Sequence, residues 1–196
     1  MSPNVEPGTN TQPGLVDRFL GPGHTGPDLI AQGVGGVLCA GLLGWYLATS
    51  PTGSNWSPWQ IVLLGVIVLD LIGGILTMST TAAKSWYHQP APTARRTRLV
   101  FVASHMAHLG LVALVLLDQD WFWLVVSGIS LLAATLLIEF TPRSVKLVAA
   151  TGSFVAVLVL GLILAPLPDA LAWFPALFYL KLLVCFLVPG PVPREA

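Results

Sequence analysis

The chain has 196 residues, nine basic and nine acidic side chains, 55% hydrophobic against 9% charged residues, and a mean hydropathy of +0.79. A soluble domain carries about 25% charged residues to keep its surface in water. A chain this poor in charge cannot coat a water-facing globule, so the composition excludes an ordinary soluble domain and points to lipid as the surrounding medium. The balanced charge leaves no broad basic face to neutralise phosphates, which excludes a nucleic-acid partner.

Residues 1–27 are rich in Pro, Gly, Asn and Thr. They bury too little apolar surface to offset the entropy of ordering, so they are expected to form a disordered cytoplasmic tail. They lack the basic start, short apolar core and small-residue cleavage site of a secretory signal, and the first apolar stretch is expected to stay in the membrane.

Six apolar stretches follow: Asp28–Thr49, Pro58–Thr81, Leu99–Leu117, Trp121–Phe140, Val145–Ala165 and Ala170–Val188. Each is long enough to cross a hydrocarbon core of about 30 Å as a helix. No strand-period alternation appears, which argues against a membrane barrel. The expected fold is all-α: a polytopic integral membrane protein whose six-transmembrane-helix bundle occupies 28–188, followed by a short cytoplasmic tail, 189–196. No separate soluble domain is expected. The links are short, Asp118–Asp120 being the tightest, so neighbouring helices should run antiparallel.

Lys and Arg near helix ends stay on the cytoplasmic side. Arg18, Lys84, Arg95, Arg96, Arg98, Arg143, Lys146 and Arg194 all fall on one side of a six-helix arrangement. The first, third and fifth links carry only Asp118, Asp120 and Asp169 as charged residues. This asymmetry predicts a multi-pass cell-membrane protein with both termini cytoplasmic. The bilayer is the expected partner, with anionic-lipid contact at Lys84, Arg95, Arg96 and Arg98; the oligomeric state is left open. Trp45, Tyr46, Trp56, Trp59, Trp121, Trp123 and Trp173 fall at the opposite ends, where amphipathic rings favour the headgroup level.

Packing signals recur along the stretches. Gly36, Ala40 and Gly44 form a small-residue seam on the first stretch, and Ala103 with Ala107 forms one on the third. Pro175 should kink the last helix or loosen its outer third. Cys39 and Cys185 differ in depth by about 10 Å at the helical rise, which predicts two buried, inert thiols rather than a disulfide. Glu139 is expected to pair with Arg143, four residues on.

The costly residues are ionisable groups inside the apolar stretches. Asp70 lies 12 residues inward from Pro58 and Lys181 lies 12 inward from Asp169, both about 18 Å below the boundary. His108 is ten residues from Arg98 and ten from Asp118, which places it in the same layer. A charge at the bilayer centre costs at least about 2.5–3.5 kcal/mol. Asp70 and Lys181 are therefore expected to pair, or to meet through His108. Asp70, Gly74, Thr77, Thr81, Lys84 and His88 recur at spacings of 4, 3, 4, 3 and 4, a polar seam along one helical face. His105 shares a face with His108, and His88, beside Trp86 and Tyr87, reads as interfacial.

Three functional readings follow. Asp and His in series can serve proton-coupled transport of a small solute through an Asp/His/Lys site. Asp70, His105 and His108 can supply imidazole and carboxylate ligands to a divalent transition metal. The same residues, with Lys181 as a further candidate catalytic group, can activate water for hydrolysis of a lipid-like substrate. A structural or accessory subunit held together by an Asp70–Lys181 pair is the plain alternative. The chain has no HExxH, GxSxG or phosphate-binding glycine loop that would complete a catalytic motif.

Overall fold

The computed structural model describes residues 20, 23–51, 56–90 and 92–190, and these contain helix and no strand. The expected tails at 1–27 and 189–196 lie mostly outside the described residues. Helices run in the order α1 (Gly26–Thr49), α2 (Pro58–Met78), α3 (Thr81–Tyr87), α4 (Ala94–Leu116), α5 (Trp121–Phe140), α6 (Arg143–Leu164) and α7 (Asp169–Phe186). Among the described residues all but the short α3 are long and apolar enough to cross a membrane, six helices in all.

Local chemistry sets their starts. Thr25 and Asp28 form a reciprocal capping box at α1, with Thr25 N–H donating to Asp28 Oδ2 at 2.9 Å. Ser57 and Gln60 do the same at α2, and Gln60 Nε2 also donates to Val115 O of α4 at 2.7 Å. Such boxes satisfy N–H groups that no helix turn can reach. Asp120 caps α5 by accepting from Trp123 N at 2.8 Å, just after Asp118 and Gln119 turn the chain through φ of 48° and 67°.

Several expected boundaries shift for visible reasons. The second stretch does not continue to Thr81: α2 ends at Met78, and Thr80 accepts from Ala83 N at 3.2 Å to begin α3. Helix α4 begins at Ala94 rather than Leu99, so Arg95, Arg96 and Arg98 lie in its first turns. Of the two outcomes expected of Pro175, the outer third is loosened and no kink forms within the regular helix. A 3-10 turn at Asp169–Leu171 precedes it, and the regular helix begins at Phe174 with Pro175 in its first turn, where a missing N–H costs no bond.

At the centre, α7 packs against α2, α5 and α6, while α5 also packs against α4. The shared core includes Leu71, Leu109, Leu131, Phe174, Phe178 and Leu183. Helix α1 lies outermost, packed on α2 with no residue of its own buried. Its close approach to α2 is at Gly35 and Gly36, beside Leu76. The seam expected at Ala103 and Ala107 faces outward, since both are exposed. Of the two free thiols, Cys185 is buried but Cys39 is exposed, because α1 turns that face away from α2.

One end of the bundle is basic, and its organising anion is Glu139. Arg143 does not pair with it. Residues Thr141 and Pro142 end α5, so Arg143 no longer shares its helix and donates to Gly190 O at 3.2 Å. Glu139, with a side chain only 1% exposed, instead takes Arg98, Arg95 at 3.7 Å and Lys146 at 3.6 Å. This cluster joins α4, α5 and α6.

Candidate functional site

Three helices converge on one carboxylate. Lys181 Nζ of α7 donates to Asp70 Oδ2 of α2 at 2.6 Å, and His108 Nε2 of α4 lies 2.9 Å from the same oxygen. The lysine side chain is 3% exposed and the aspartate side chain 37%, so the pair has a buried side and an open side. Lys181 reaches Asp70 by crossing α2 at Gly74, one turn further on. A Cβ added there would collide with Lys181 Cε, so this close approach requires glycine. Lys181 also lies in the π-wound part of α7, Leu180–Phe186, a winding that recurs at functional sites.

His105 is shaped by a break in α4. Its N–H bonds to Val102 O at 3.0 Å, and His108 N–H bonds to His105 O at 3.0 Å, both three-residue steps in place of four. Residues three apart eclipse in that tighter winding. Accordingly the His105 and His108 rings stack, with centroids 5.0 Å apart and planes 11° from parallel. The break also frees Phe101 O from its usual helical donor, the His105 N–H. That carbonyl now accepts from Ser104 Oγ at 2.7 Å and from His105 Nδ1 at 2.8 Å. A carbonyl only accepts, so Nδ1 carries the hydrogen and neutral His105 presents a lone pair on Nε2. By the same logic His108 donates from Nε2 to Asp70, and its Nδ1 is buried with no hydrogen-bond partner.

One donor atom from each of Asp70, His105 and His108 lies within 4.8 Å of the others. Two imidazoles and a carboxylate suit a divalent first-row transition metal. Ligating histidines characteristically donate their second nitrogen to a carbonyl or carboxylate, which fixes ring orientation. His105 has such a partner in Phe101 O, whereas His108 Nε2 faces Asp70 itself and must give up that hydrogen bond to bind an ion.

The rest of the expected polar seam does not enter this site. Thr77 donates to Gln32 Oε1 of α1 at 3.0 Å. Thr81 is exposed at the start of α3, beyond the break in the helix. His88 Nε2 contacts Phe186 O at 2.7 Å and Lys84 Nζ donates to Val188 O at 3.1 Å, both fastening the end of α7. Burial holds the His88 imidazole below its usual value of 6.5, with Arg98, Lys84 and Lys146 adding to the effect. Sequence reasoning missed Phe101 O, because a backbone carbonyl is free only where the helix breaks. It included Gly74 as part of a polar stripe without its role as the lysine's passage.

No protein-family model, curated protein or solved structure matches this chain.

Proposed function

We propose that this is a multi-pass cell-membrane protein, both termini cytoplasmic, that binds a divalent transition-metal ion within the bilayer through Asp70, His105 and His108. The observation that carries the reading is the convergence of three donor atoms within 4.8 Å. Bonds of about 2.0–2.2 Å place neighbouring tetrahedral donors roughly 3.3–3.6 Å apart, so the widest separation closes by roughly 1.2–1.5 Å on binding. Three protein ligands leave a coordination position for water or a solute. The one-sided distribution of Lys and Arg supports the orientation. Exposed Arg95 and Arg96 at the basic end suit anionic lipid headgroups, with Lys84 and Arg98 as further basic groups there.

The test is elemental analysis of protein purified in mild detergent after exposure to Zn²⁺, Co²⁺, Ni²⁺ and Mn²⁺. The expected result is close to one metal per chain, lost in His105→Ala/His108→Ala with helical content unchanged. A folded original protein that takes up none of these ions overturns the reading.

The hydrogen-bonded run from Lys181 through Asp70 to His108, with His105 stacked on the last, also supports a second reading, proton-coupled movement of a small solute. Reconstituted vesicles with a pH-reporting dye inside test it: solute-dependent acidification should vanish in Asp70→Asn.

A further inference from the structure

A metal site built on Asp70 already holds a cation. The Lys181 ammonium lies 2.6 Å from Oδ2, the oxygen that His108 also contacts. A divalent ion drawn to the same carboxylate meets a fixed positive charge at close range, and like charges at such a separation repel strongly away from water. The two cations compete for Oδ2, the oxygen on which the ammonium already lies.

We propose that Lys181 is a tethered competitor: its ammonium fills the cation position beside Asp70 in the empty site, and an arriving divalent ion exchanges with it. This exchange presupposes the metal site proposed above. Three features support it. The lysine lies on the buried side of the carboxylate, whereas the aspartate side chain is 37% exposed, so the open side of Asp70 is not the side the ammonium occupies. Gly74 provides the lysine's passage, since any side chain there would strike its Cε. His105, with Nδ1 tied to Phe101 O, makes no hydrogen bond to the ammonium and keeps Nε2 for the ion.

The exchange moves no covalent bond. Asp70 trades an ammonium hydrogen bond for a metal bond, and the ammonium withdraws along the Gly74 face. A site of this kind binds its metal more weakly than its ligands alone would allow and releases it readily, as suits an ion in transit rather than a permanent structural metal.

The experiment is a Co²⁺ titration of detergent-purified protein, followed by calorimetry and by the visible absorption of the bound ion. Original protein, Lys181→Met and Gly74→Ala are compared. Lys181→Met removes the competitor, and Gly74→Ala pushes it off Asp70 while keeping every charge. Both should bind Co²⁺ at least tenfold more tightly than the original. Should Lys181→Met fail to fold with Asp70 uncompensated, Gly74→Ala decides, because the added methyl meets only the flexible end of a side chain. Original protein that binds Co²⁺ while the folded variants bind no more tightly overturns the competitor and leaves the metal site standing. Folded forms that all fail to bind Co²⁺ overturn both.

Discussion

A single oxygen, Asp70 Oδ2, carries much of the energetic burden of this protein. Removing one partner of a buried ion pair strands the other, at a cost of about 3–5 kcal/mol, whereas removing both is often nearly neutral. Asp70→Asn should therefore lower stability by about that amount, read by unfolding in mixed micelles, and Asp70→Asn/Lys181→Met should recover most of it. No recovery in the double variant would mean that the pair is not a coupled unit. His88 makes a prediction of opposite chemistry. Burial holds its imidazole below the usual 6.5, so the folded state favours the neutral ring and binds fewer protons than the unfolded state. Its contribution is complete above 6.5 and is lost as pH falls below that value toward the lowered one. Melting temperature should drop as pH is taken from about 7 to 5, with a shallower slope in His88→Gln. At this scale the sequence was partly legible. Counting residues inward from the boundaries put Asp70, His108 and Lys181 at one depth, because helical rise is regular. The partner of His105 was not legible, because it depends on where that regularity fails.

At the scale of helices, interruptions decide what meets what. The turn at Ser79–Thr80 divides a polar stripe that reads as continuous, and Thr77 pairs with α1 instead. The three-residue steps at His105 stack two imidazoles that an unbroken helix would offset. Glu139 shows the same lesson at the basic end. A spacing of four favours Arg143 only while both residues share a helix. Pro142 ends that condition, and Arg98, 41 positions earlier, takes the carboxylate. Glu139→Gln should thus cost about 3 kcal/mol or more, leaving cations from α4 and α6 without their anion. Arg143→Ala, which removes one exposed bond to Gly190 O, should cost less than about 1 kcal/mol. Comparable losses from the two substitutions would contradict this assignment.

Across the whole molecule, helix number was the most legible property, since length and hydropathy alone mark six candidate spans. Their arrangement was not, because lipid-like surfaces look alike in sequence whether they face a neighbour or the outside. Cys39 and Cys185 illustrate this: both sit in apolar stretches, yet only the second is buried. In folded protein a lipid-soluble maleimide should modify the lipid-facing Cys39 before Cys185, which should react only after unfolding, as read by intact mass. Equal labelling of both would place α7 differently. The central position of α7 also has a consequence for biosynthesis. Asp70 leaves the ribosome 111 residues ahead of Lys181, its closest partner. Until the last span is delivered, a nascent chain carries an anion in its second span with only His108 to share it. The final helix thus acts as the closing step of assembly, and a chain released before it emerges is one that quality control can recognise by an unmatched charge.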